Sequence, residues 1–398
     1  MLKKVKLIIV FFLVAISNIA SVDSLGKVFA QNENVEIEKE FNQVVENQLY
    51  ALDFSSLEQI LQDASEQSQN IFGSASFFEK VNMLINGEIS SDFSSIFKII
   101  FELFFDNILS ILPTLCLIIA IAILFSLISN LKSSSNGGIK DIIHFIVYGV
   151  IIIIVSSIVA ECVFNTTNTL QSVQTQMEVI FPLLITLITA VGGVTSASVF
   201  QPAIVLISNG IMQLFNYVLL PLFLVAFIFT IANNLSNNFH FSKFIETSQS
   251  IFKWIVGIVF SLFIAYLTIN SIVAGSLDGI SIKTAKYTMK SYVPYIGGYM
   301  GDGLDIIISS SVLIKNAIGA CGLILLLATT ILPLIKLLLV VLGLKITGAI
   351  LEPITDKRIS SFVYSIGKVL NMLIACLISI TIMYFLCVGL LMSVCNLF

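Results

Sequence analysis

Residues 312–344 read VLIKNAIGACGLILLLATTILPLIKLLLVVLGL, and Lys315 and Lys336 are the only charges among them. A surface helix of a water-soluble protein shows a polar face at helical spacing, and this stretch shows none. About 20 apolar residues, rising 1.5 Å each, cross the ~30 Å hydrocarbon layer of a bilayer, so the stretch reads as a membrane crossing. Working outward, six more apolar runs lie at 108–129, 142–163, 179–200, 203–232, 254–273 and 369–392. They do not alternate with period two, so a barrel is excluded and helices are expected. Composition agrees: 57% of residues are hydrophobic and only 11% charged. The fold class is therefore an all-α polytopic transmembrane bundle of about six to eight spans.

The first thirty residues place Lys3, Lys4 and Lys6 before a short apolar core and end at Val28-Phe29-Ala30. That is the pattern of a cleavable secretory signal, which directs the chain beyond Gln31 out of the cytoplasm. Residues 31–106 carry fourteen Asp and Glu against Lys39, Lys80 and Lys98, a net charge of −11. Their apolar residues recur at helical spacing, with Leu57, Ile60 and Leu61 on one face. Ser55 and Glu58 predict a capping box, and Gly87 a helix stop. The domain plan is a signal peptide (1–30), an acidic helical extracytoplasmic segment (31–106) and a multi-pass membrane domain (107–398). So short a leader has little core of its own and is expected to dock on the membrane part or on another protein.

Topology turns on residues 179–232. If they cross twice, five loop cations fall inside and six outside; if once, with part of the stretch re-entrant or lying flat, eight fall inside and three outside. The positive-inside rule favours one crossing, whereas two apolar runs of this length favour a hairpin, and both readings stand at this point.

Three features stand out from the apolar background. Ala190-Val191-Gly192-Gly193-Val194-Thr195-Ser196-Ala197-Ser198 puts small and hydroxyl residues where Leu and Ile would be expected; Gly192, Gly193, Thr195 and Ser196 suit either close helix packing or a broken helix lining a cavity. Residues 276–305 hold Lys283, Lys286 and Lys290, spaced to share one helical face, then Pro294, Gly297 and Gly298, which are expected to break the helix. This region reads as an interfacial loop or as an assembly element. Lys336 is an intramembrane charge candidate, although Lys315 and Lys336 bracket a 20-residue span and are expected to snorkel to its two interfaces.

Catalysis has little to draw on. His144 and His240 are the only histidines and the six cysteines lack any C-x-x-C spacing, so no metal, cofactor or catalytic site is expected, and the cysteines read as packing residues. Without a basic stripe, nucleic acid is not a partner; membrane lipid is. Polytopic chains of this kind include stand-alone permeases for small solutes, which place convergent polar groups at mid-membrane, and scaffolds without a pore.

Phe181-Pro182-Leu183-Leu184 continuing into Gly192-Gly193-Val194-Thr195-Ser196, then Gly279-Ile280-Ser281-Ile282-Lys283-Thr284-Ala285-Lys286-Tyr287 and Val293-Pro294-Tyr295-Ile296-Gly297-Gly298, resemble the stage III sporulation protein AE family of endospore-forming bacteria. The resemblance implies a non-enzymatic component of a channel or feeding complex in the outer forespore membrane, linking mother cell and forespore and needed for late forespore development. It also implies other stage III sporulation A proteins as partners and, across the intermembrane space, stage II sporulation protein Q. No catalytic residues come with it.

Overall fold

The computed structural model describes residues 35–63, 69, 72, 73, 75–87, 93–131, 137–235, 241–292 and 297–394. The expected signal segment, 1–30, lies outside the described residues, and so does Pro294. The structure is 93% helical with no strand among the described residues, in keeping with an all-α bundle.

Among the described residues the leader forms three short helices, α1 (Val35–Tyr50), α2 (Ser55–Asp63) and α3 (Phe77–Ile85). Leu57, Phe72, Phe77 and Val81 are fully buried, with Phe72 and Phe77 stacked 6.1 Å apart. The capping box is not at Ser55 and Glu58. It belongs to α3, where the Ser76 hydroxyl accepts the Glu79 N–H and Glu79 accepts the Ser76 N–H. Glu58 instead reaches across to accept the N–H of Phe78 at 3.2 Å, because the α2–α3 packing brings that orphan donor within its reach. Gly87, at φ +68°, follows α3 as the expected stop.

Eight further helices make the bundle: α4 (Phe93–Leu131), α5 (Gly137–Ala190), α6 (Val194–Leu214), α7 (Leu220–Leu235), α8 (Ser242–Tyr292), α9 (Gly297–Leu351), α10 (Lys357–Val369) and α11 (Asn371–Ser393). One π-helical turn, Phe215–Leu219, joins α6 to α7. Its wider turn precedes Pro221, whose ring would clash with the carbonyl four residues back in a regular helix. Six helical stretches are long and apolar enough to cross a bilayer, with α6–α7 and α10–α11 each counting once. Helix α9 is the hub, packing on α4, α5, α8, α10 and α11 and on the leader helices α1 and α3.

The seven apolar runs become six crossings for a physical reason. Between runs 142–163 and 179–200 the residues are polar but almost all uncharged, and the hydroxyls of Thr166, Thr167, Thr169 and Thr175 donate to carbonyls four residues back at 2.7–3.0 Å. Their polarity is absorbed by the helix, so α5 continues unbroken. The chain reverses only at residues 191–193, inside what looked like the third run. The hairpin reading of 179–232 is thereby overturned: residues 179–190 end α5, and 194–235 return once beside it.

Cross-helix contacts fix the register. Gln176 donates to Thr329 at 3.0 Å, Phe181 packs on Tyr384 at 5.5 Å, and Tyr148 donates to the Ile231 carbonyl at 2.9 Å. Helices α5 and α8 run towards the leader, α6–α7 and α9 away from it. Of the thirteen cations after residue 107, Lys283, Lys286 and Lys290 fall at the leader's end. Among the described residues, Lys140, Lys243, Lys253, Lys345, Lys357, Arg358 and Lys368 fall at the other. This seven-to-three bias is the one the positive-inside rule expects when the end away from the leader is cytoplasmic.

The leader docks on the N-terminal half of α9: Ser311 and Ser310 donate to the Gln48 side chain at 3.2 and 3.4 Å. The Lys80 ammonium lies 4.4 Å from the centre of the Phe72 ring, and burial pulls its pKa below the usual lysine value.

Candidate functional site

The Gly192–Gly193 segment is the place where the long helices are interrupted within an apolar run. Gly192 adopts φ +99°, a conformation a side chain would strain, and its N–H bonds back to the Thr189 carbonyl at 2.9 Å. Gly193 is the N-cap of α6 and carries no capping side chain, so the first N–H groups of α6 need an acceptor from elsewhere.

Asp278 supplies it. One carboxylate oxygen accepts the Thr195 N–H at 3.0 Å and the other the Ser196 N–H at 2.8 Å, although Asp278 stands on α8 and is only 1% exposed. A carboxylate at a helix N-terminus meets both the free donors and the positive end of the helix dipole, which is how its charge is held away from water. The result is a clamp joining the α5–α6 turn to α8. The Ser196 hydroxyl is buried beside it with no hydrogen-bond partner, so Ser196 serves through its backbone and its small size. Thr195 is likewise held by its N–H.

The other predicted residues part company. Residues 276–292 are helical, the end of α8, and Gly297 and Gly298 open α9. Residues 276–292 are thus helix rather than loop, while the expected helix break falls between Tyr292 and Gly297, across residues outside those described, with Gly297 and Gly298 at the start of α9. Lys283 is exposed and Lys286 forms an ion pair with Asp305 of α9 at 2.5 Å, so Lys286 braces the α8–α9 hairpin. Lys336 is partly exposed and pairs with Glu161 of α5 at 3.5 Å. The snorkelling expected of Lys315 does not occur. That side chain is fully buried and its ammonium donates to the Val394 carbonyl just beyond α11, an acceptor that the end of a helix leaves free. Cys162, Cys321, Cys376 and Cys387 are buried, as packing residues should be; Cys116 is exposed.

Asp278 and Glu161 were not singled out from the sequence. An acid near the end of an apolar run was the available signal for Asp278, yet its partners lie 82 and 83 residues away.

The sequence was compared with known proteins. The stage III sporulation protein AE family matches residues 75–395. The chain belongs to that family. Among curated relatives, stage III sporulation protein AE of Bacillus subtilis (strain 168) is 25% identical over 259 residues, which span 65% of this chain and 65% of the relative. No solved structure matches. The family match includes the α5–α6 turn and its Asp278 clamp, together with α3 of the leader and all six crossings.

Proposed function

We propose that the protein is a non-enzymatic, multi-pass component of the complex that links mother cell and forespore, placed in the mother-cell membrane around the forespore and needed for late forespore development. Membership of the stage III sporulation protein AE family carries this reading. The architecture supports it. Helices α5, α8 and α9 are 54, 51 and 55 residues long. At 1.5 Å per residue each runs about 76–83 Å, well beyond the ~30 Å hydrocarbon layer, so they carry structure past the membrane. The acidic leader sits on the projecting end of α9, away from the cation-rich end. In the mother-cell membrane that end faces the intermembrane space, where stage II sporulation protein Q and the other stage III sporulation A proteins are the proposed partners. Deleting the gene and following forespore size and late forespore-specific expression tests the role: small forespores with lost late expression are expected, and normal spores would refute it.

A further inference from the structure

Two ammonium groups are brought together at the end of the bundle away from the leader, Lys345 on α9 and Lys368 on α10. Glycines let the two helices close up there. A Cβ on Gly348 would come within 2.9 Å of the Tyr364 backbone nitrogen, and the Gly348 carbonyl accepts the Ser360 hydroxyl at 2.9 Å. A Cβ on Gly367 would meet the Lys345 side chain at 2.9 Å. The Lys345 stem therefore lies across Gly367, next in the chain to Lys368, and the two charges are within electrostatic reach of each other. The Lys368 ammonium stands 5.0 Å from the centre of the Tyr364 ring.

Among the described residues neither lysine forms an ion pair, whereas Lys243, Lys286 and Lys336 hold Glu246, Asp305 and Glu161. Glu352 is seven residues beyond Lys345, about 10 Å along the helix, and Asp356 lies before the start of α10. Like charges this close repel, and the more so where water is scarce, so an anion between them would stabilise the pair. The surroundings are amphiphilic. Lys345 borders an apolar stripe of α9 on which Leu342, Ile346 and Ile350 are 40%, 50% and 43% exposed. Lys368 and Tyr364 are exposed beside it, and a tyrosine ring with its polar tip suits the headgroup level of a bilayer.

We propose that Lys345 and Lys368 hold the phosphate of an anionic phospholipid, whose apolar chains lie against the α9 stripe. An ammonium binds phosphate as a point charge, and a basic pocket between helices at the cytoplasmic end of a bundle is suited to such headgroups. A free anion would use the two charges alone; the exposed Leu342 and Ile346 favour a lipid. The site lies within one chain and does not depend on the sporulation role.

The test uses the full-length protein in an uncharged detergent, with thermal unfolding followed as phosphatidylglycerol, phosphatidylcholine or inorganic phosphate is added. Phosphatidylglycerol is expected to raise the unfolding temperature saturably, and the other two to leave it in place. The phosphatidylglycerol needed for half the shift should rise about fivefold in Lys345→Gln and in Lys368→Gln, and at least about tenfold when both are changed. Lys368 is exposed, so its single variant is expected to keep the fold and to read the site by itself. Lys243→Gln combined with Lys253→Gln removes the same charge from α8 at the same end and is expected to change nothing. An unaltered requirement in Lys368→Gln, or an equal rise in the α8 double variant, would overturn the site. A shift as large with inorganic phosphate or phosphatidylcholine would overturn the anionic lipid as its occupant.

Discussion

Helices α5 and α8 run in the same direction at the same depth, and they expose opposite chemistries. Between residues 168 and 189, α5 exposes Asn, Gln, Ser, Thr and Glu with one Pro, whereas α8 between 258 and 273 exposes mainly Ile, Leu, Tyr and Val, with Ser261 and Thr268 among them. Both are continuous helices with their backbone groups satisfied internally, so the contrast lies in what surrounds them. A bilayer rewards the surface of α8 and penalises that of α5. The two helices therefore differ in the surface they present, and average hydropathy, which counts buried and exposed residues alike, conceals it.

The two flanks stay in register because Asp278 of α8 holds the N-terminus of α6. Asp278→Ala leaves two buried N–H groups unpaired and is expected to lower stability by about 3–4 kcal/mol, the largest effect here. Asp278→Asn keeps one acceptor oxygen and should recover part of that loss; thermal unfolding in detergent reads both. The contrast itself is probed by placing one charge on each flank. Ile269→Lys should impair membrane insertion by about 2.5–3.5 kcal/mol, while Thr175→Lys should change it by less than about 1 kcal/mol. Equal penalties in an insertion assay would erase the distinction between the flanks.

Smaller effects sharpen it. Gly192→Ala forces a side chain into a positive-φ turn and should cost about 1 kcal/mol in thermal stability, with the clamp still formed. Lys336→Met should cost less than about 1 kcal/mol, because the Glu161–Lys336 pair is partly exposed and such pairs contribute little. A markedly larger loss in the same unfolding measurement would mean that the pair is shielded from water.

The sequence showed the apolar runs, the helical leader and the importance of residues 190–198, because each depends on neighbouring residues. It hid the joins. Run 179–200 looked like one crossing since a Gly-Gly turn adds no charge to an apolar stretch. The stretch between runs 142–163 and 179–200 looked like a break since hydrogen bonds from Thr to carbonyls four residues back are invisible to hydropathy. Asp278 was passed over, and Lys315 was assigned to an interface, because their acceptors and donors come from distant helices. The charge bias alone favoured the correct crossing number, and for a sound reason: loop cations report the side of the membrane whatever the apolar runs between them do.

Setting α5 against α8 requires that each cross once and in the same direction. The most direct test is the side of the membrane reached by three connections: reporters or single cysteines at Gly193, at Tyr295 and at Asp356. Gly193 and Tyr295 are expected on the extracytoplasmic side with the leader, and Asp356 in the cytoplasm. A cytoplasmic Tyr295 with an extracytoplasmic Asp356 would restore the double crossing of residues 179–232 and contradict the six-crossing bundle.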